Sequence, residues 1–102
     1  MIRIPTHRIP THPGEVLLEE FLNPMGINQK DLADNIHLSY QQVNEIITNH
    51  KAITPSIALR LAKFFNVSVE FWMNLQLRWD LYSVQQNETK VLESIRPYSM
   101  VA

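Results

Sequence analysis

After Pro13 the apolar residues of the chain first recur at helical spacing. Val16, Leu17 and Phe21 fall on one face, the period of a helix that buries one side. Proline suits the first helical position, and Glu15 places a negative charge in the first turn, where the helix dipole favours it. Asn23-Pro24-Met25-Gly26 reads as the end of this element, because proline and glycine break helices.

Four further capped segments obey the same grammar. Asn28 is placed as a cap with Asp31 three residues on, and Leu32, Ala33 and Ile36 form the buried face up to a stop at His37-Leu38. Ser39 followed by Gln42 has capping-box spacing, with Val43, Ile46 and Ile47 inward and an end near Thr48-Asn49-His50. Thr54-Pro55 opens a fourth helix, whose inner face is Ile57, Ala58, Leu61, Ala62 and Phe65, and Asn66 is a left-handed stop. Ser68 then caps a fifth helix with Glu70 in its first turn. It is predicted to run through Phe71, Trp72, Leu75, Trp79 and Tyr82 to about Gln85.

Sustained alternation of apolar and polar residues is missing, and the only glycines are Gly14 and Gly26, so the pattern predicts an all-α domain of five short helices. The expected organisation is an arm over residues 1–11, the helical domain over 12–85 and a tail over 86–102. The tail has a weak turn of helix near 88–95, and Pro97 limits any helix beyond it. The arm holds a tandem repeat, Arg3-Ile4-Pro5-Thr6-His7 then Arg8-Ile9-Pro10-Thr11-His12, too short for a solenoid unit. Two readings of it stay open: a mobile duplicated tail, or a basic arm that reaches a DNA groove or a partner.

With 102 residues, 45% of them apolar and 19% charged, the chain is sized for one globular domain. It contains no cysteine, which removes disulfides, thiolate zinc sites and cysteine nucleophiles. No run approaches the ~20 apolar residues of a membrane span. The opening Met1-Ile2-Arg3-Ile4-Pro5 has no apolar core of a signal peptide, so the cytosol is the expected location. His7, His12, His37 and His50 include no pair at i,i+4, and neither a Gly-rich phosphate loop nor a Ser/His/Asp arrangement is present. No metal, no cofactor and no enzymatic activity are expected.

The formal net charge of −1 argues mildly against nucleic acid, but its distribution changes that reading. Residues 39–65 carry Lys51, Arg60 and Lys63 against Glu45 alone, net +2, while the flanking thirds are negative. The positive stretch contains the most informative unit, two short helices joined by His37-Leu38-Ser39. A connector this short forces a steep crossing, a helix-turn-helix whose second helix fits the major groove. The outward residues of that helix are Ser39, Tyr40, Gln41, Gln42, Asn44, Glu45 and Thr48. Gln and Asn pair with adenine edges, a tyrosine ring covers a thymine methyl, and Glu accepts from cytosine. Tyr40, Gln41 and Glu45 are the candidates for base contact. Gln29 is placed over a phosphate, and Asn49, His50 and Lys51 beside the backbone. A solvated polar surface is the competing reading. A helix-turn-helix of this size needs two copies to span one turn of DNA, about 34 Å, so a homodimer on double-stranded operator DNA is expected.

At these residues the sequence resembles a family. His12-Pro13-Gly14-Glu15-Val16-Leu17, Asn28-Gln29-Lys30-Asp31-Leu32-Ala33, Val43-Asn44-Glu45-Ile46-Ile47 and Lys51-Ala52-Ile53-Thr54-Pro55 are similar to HigA-type, or VapI-type, antidote proteins of the lambda-repressor-like class. Ala58-Leu59-Arg60-Leu61-Ala62, Phe71-Trp72-Met73-Asn74-Leu75-Gln76 and Asp80-Leu81 continue the likeness across roughly residues 10–85. The resemblance implies a homodimer that represses its own operon at a palindrome and neutralises a HigB-type toxin, a ribosome-dependent mRNA endonuclease. It implies an operator role for Gln29 and the exposed third-helix positions, and a structural role for Trp72, Asn74, Leu75 and Gln76. Where the family commonly has glycine after the second, third and fourth helices, this sequence has His37, Asn49 and Asn66, types that tolerate left-handed backbone. The stripe Trp72, Leu75, Trp79 and Tyr82 is read as core or dimer interface. A stand-alone transcription regulator without a toxin is the alternative function.

Overall fold

The computed structural model describes residues 9–99; the first copy of the tandem repeat, and Arg8 of the second, lie outside them. The described residues form six helices and no strand. Helix α1 covers residues 13–25 in three joined pieces, an α turn Pro13–Val16, a π-helical segment Leu17–Leu22 and a closing turn Asn23–Met25. Then come α2 (Gln29–Ile36), α3 (Tyr40–Ile47), α4 (Pro55–Phe65), α5 (Val69–Asn87) and α6 (Thr89–Ser94).

The caps fall where the side chains place them. Asn28, Ser39, Thr54 and Ser68 each accept from the backbone N–H three residues on, a contribution of about 1 kcal/mol apiece. The helix ends share one closure. Gly26, His37, Asn49 and Asn66 all take positive φ, between 57° and 68°. The next residue's N–H then reaches back five positions: Ile27 to Leu22 O, Leu38 to Ala33 O, His50 to Glu45 O and Val67 to Ala62 O. This is the Schellman arrangement, and it satisfies carbonyls that a helix end otherwise leaves bare.

Two boundaries differ from the sequence expectation. Asn23-Pro24 does not end α1, which continues to Met25 before Gly26 turns the chain. Ahead of the proline the helix is already widened, with Asn23 N donating to Leu18 O. A π turn of this kind takes in the ring without a break. Helix α5 runs to Asn87 rather than Gln85, and the turn foreseen near 88–95 is α6.

The core is one cluster drawn from α1 to α5, centred on Leu17, Leu22, Leu32, Val43, Ile46, Leu61 and Trp72. Trp72 is fully buried beneath Phe21, Phe65 and Phe71, with ring centroids 4.9 to 6.1 Å away. Two polar side chains tie distant segments across this core. Gln76 is buried; its Oε1 accepts from Ile53 N at 2.7 Å, and its Nε2 donates to Asp80 at 2.9 Å. The loop before α4 is thereby held to α5. Arg60 on α4 donates to the carbonyls of Ile36 and His37, at 2.8 and 3.1 Å. This closes the last turn of α2, where the α2–α3 connector begins. Among the described residues no helix is long and apolar enough to cross a membrane.

Candidate nucleic-acid interface

Helix α3 presents its polar side because its apolar side is fixed. Val43 and Ile46 are buried, and Gly14 of α1 packs directly against the α3 backbone. A Cβ built on Gly14 would overlap the carbonyl oxygen of Ile46 and come within 2.8 Å of Ile47 Cα, so only glycine permits this approach. Ser39 sets the start of α3 through a complete capping box: Gln42 N donates to Ser39 Oγ, and Ser39 N donates to Gln42 Oε1.

The face left outward holds Ser39, Tyr40, Gln41 and Thr48, all exposed, with Tyr40 54% accessible. Asn44 and Glu45 are half-buried beside them, as are Gln29 and Lys51 at the edges. The structure joins two of these residues directly, since Asn44 Nδ2 donates to Gln29 Oε1 at 3.0 Å. The first residue of α2 and the middle of α3 thus form one polar unit. Other candidates are partly committed. The Gln42 oxygen is spent on the capping box, and Thr48 Oγ1 donates to Asn44 O and touches His50 Nδ1. Asn49 is exposed and in left-handed backbone.

His12 carries a role that the sequence pattern does not announce beyond the arm's repeat and the family motif. It is the cap of α1: its Nδ1 accepts from Gly14 N at 2.9 Å, and its ring meets the edge of Trp79 at 4.9 Å. One imidazole therefore touches the start of α1 and the middle of α5. The signal was local, a histidine directly before Pro-Gly-Glu at a helix start. Burial disfavours the charged imidazolium and lowers the His12 pKa from its ordinary value, against weaker opposing effects of the Asn49 bond, Glu15 and Asp80. The unfolded chain then binds a proton more readily than the folded one. His12 therefore subtracts stability as pH falls below about 6.5, and contributes no pH dependence well above that. His12→Asn keeps a cap acceptor and removes the titrating group. Its melting temperature is expected to fall less than that of the parent between about pH 7.5 and about pH 5.5; an equal fall in both would contradict this role.

Trp72 of the predicted α5 stripe lies in the core, and Leu75, Trp79 and Tyr82 are half-buried on their own chain. The apolar residues that α5 exposes are others: Phe71 near its start, and Leu77 and Val84, with half-buried Leu81 between these two. Among the described residues no group of three His, Cys, Asp or Glu side chains lies close enough to hold a metal.

Two capped helices, a connector of three residues opened by left-handed His37, and an outward polar second helix define a helix-turn-helix protein. A family profile described as Helix-turn-helix matches residues 18–72. HTH-type transcriptional regulator YbaQ of Escherichia coli, uncharacterized, is 41% identical over 78% of this chain and 71% of its own length. Antitoxin HigA-1 of Vibrio cholerae is 34% identical over 90% of this chain and 87% of its own. In three dimensions the fold is similar to Pseudomonas aeruginosa antitoxin HigA, solved with the higBA promoter. The TM-score is 0.84 at 35% identity, over 88% of this chain and 99% of that one. The chain belongs to the helix-turn-helix family, and within it to the HigA-type group that its sequence resembles.

Proposed function

We propose that this chain is the antitoxin of a type II toxin–antitoxin pair, which represses its own operon by reading an operator as a homodimer and neutralises a HigB-type mRNA endonuclease. The observation that carries the operator half is the outward face of α3. Tyr40 and Gln41 stand exposed in its first turn, the part of a recognition helix nearest the bases. Glu45 and the Gln29–Asn44 pair complete the base-reading and phosphate-facing set, with Ser39, Gln42, Thr48, Asn49 and Lys51 around it. A relative of the same fold solved with its promoter supports this reading. Few basic residues surround the face, so few counterions are displaced and affinity rests on two half-sites. The second copy pairs through the α5 stripe of exposed Leu77 and Val84 with half-buried Leu81 between them, which would set two recognition helices on one operator.

The toxin half rests on likeness to proteins named HigA, and a relative named only as a regulator favours the stand-alone alternative. Co-expression separates them. A small neighbouring gene, lethal when induced alone, is expected to become harmless beside this chain and to co-purify with it. Persisting lethality, or a neighbour that is harmless by itself, would leave the regulator reading in place.

A further inference from the structure

The side-chain bond between α2 and α3 has a direction, and the direction limits which base α3 can read. Asn44 Nδ2 donates and Gln29 Oε1 accepts, at 3.0 Å. Asn44 lies one turn beyond Tyr40 and one turn before Thr48, so it shares their outward side of α3. It is half-buried there, as is Gln29.

A carboxamide carries one carbonyl acceptor and two N–H donors. With one N–H held by Gln29, Asn44 keeps one N–H and its carbonyl oxygen. A donor beside an acceptor matches the major-groove edge of adenine, where N7 accepts and the N6 amino group donates. Guanine offers two acceptors, N7 and O6, and would set one of them against the Asn44 oxygen. If the amide were turned about, with its oxygen toward Gln29, two donors would remain and guanine would fit instead.

The phosphate end of the pair sets the same direction. Gln29 is the first residue of α2, where the proposed function has it face the DNA backbone. A phosphate oxygen only accepts, so it takes the Gln29 amide by Nε2. Oε1 is then left for a donor, and Asn44 Nδ2 is that donor. Polarity thus passes from phosphate to Gln29 to Asn44, and the end left for a base has the adenine pattern. The Gln42 amide differs, since its oxygen is bound to the start of its own helix. Because the Gln29–Asn44 bond already holds both side chains, little rotamer freedom is left for DNA binding to remove.

We infer that Asn44 is a specificity-determining residue that reads adenine in each half-site, and that Gln29 is the positioning residue that sets its amide. This deepens the operator half of the proposed function and rests on it. It adds a base to that reading and gives the two members of the pair separate tasks.

The test uses duplexes of the chain's own promoter in which each base pair of the bound segment is replaced in turn by the other three. Fluorescence anisotropy titrations compare the parent with Asn44→Ala, Asn44→Asp, Gln29→Ala and Gln29→Glu. For the parent, every replacement of one particular adenine is expected to weaken binding about tenfold or more. In Asn44→Ala the four duplexes at that position should bind within about twofold of one another, while other positions keep their discrimination. Asn44→Asp has nearly the same shape and only acceptors, so it should prefer cytosine there, whose amino group donates. Gln29→Glu keeps an acceptor for Asn44 and repels the phosphate, so it should weaken all duplexes alike and retain the adenine preference. Gln29→Ala should lose much of that preference. Each result is a ratio between duplexes on one preparation, so a partly unfolded variant does not distort it.

A parent with no preference for its promoter over a scrambled duplex would remove the operator reading itself. With that preference present, three results would overturn the inference alone: an Asn44→Ala variant that weakens every duplex by the same factor, which makes Asn44 a brace; guanine at the position that Asn44 discriminates; or a Gln29→Ala variant with the parent's full adenine preference.

Discussion

Gly14→Ala is expected to destabilise the fold by about 3 kcal/mol, near the upper end of overpacking costs. The added methyl would overlap the carbonyl of Ile46 and crowd the Ile47 backbone. Neither atom is the far end of a flexible side chain, so relief requires α1 to move off α3. That displacement also tilts the face offered to DNA, so operator affinity is expected to fall with stability. Gly26→Ala is the comparison. Its Cβ meets nothing within 4 Å, and only its φ of +68° opposes the change, a strain of about 1–2 kcal/mol. Urea denaturation of the two variants should therefore rank Gly14→Ala as clearly more damaging. The reverse order would show that α1 and α3 do not meet backbone to backbone.

The second large effect concerns assembly. Leu77→Glu combined with Val84→Glu puts two charges on an exposed surface, so the monomer should fold normally. It is expected to lose the dimer and, with it, operator affinity by on the order of 100-fold or more, because the second half-site is then bound as a separate event. Light scattering and a gel-shift titration read the two losses. A dimeric mass in the double variant would show that the pairing surface lies elsewhere.

Much of this architecture is legible in the sequence because its signals are local. Asn28, Ser39, Thr54 and Ser68 announce helix starts through side chains that bond three residues on, and Asn66 announces an end. The buried faces of α2 and α4 come from spacing, apart from Phe65, which is only half-buried. What the sequence leaves unread depends on contacts between distant segments. Pro24 looks like a stop until the π turn before it is seen. Trp72, Leu75, Trp79 and Tyr82 form one stripe on a helical wheel, yet the wheel does not say which side α1 covers. The apolar residues that α5 leaves exposed are Phe71, Leu77 and Val84. Arg60 and Gln76 reach 23 or 24 residues along the chain to satisfy backbone groups, and no periodicity marks such partners. At the candidate interface the residue types are readable and their commitments are not. Gln29 and Asn44 are bonded to each other, and the Gln42 oxygen is held in the capping box.

The most direct measurement is a gel-shift titration of the parent chain and the Tyr40→Ala/Gln41→Ala variant on the chain's own promoter DNA and on a scrambled duplex. Both side chains are exposed and make no contact that the fold needs, so the melting temperature should stay unchanged. The parent is expected to prefer its promoter. Removing one base-reading side chain costs about 1–3 kcal/mol, so the double variant should lose most of that preference while its weak binding to scrambled DNA persists. Undiminished preference in a folded double variant would mean that the outward side of α3 does not read the operator.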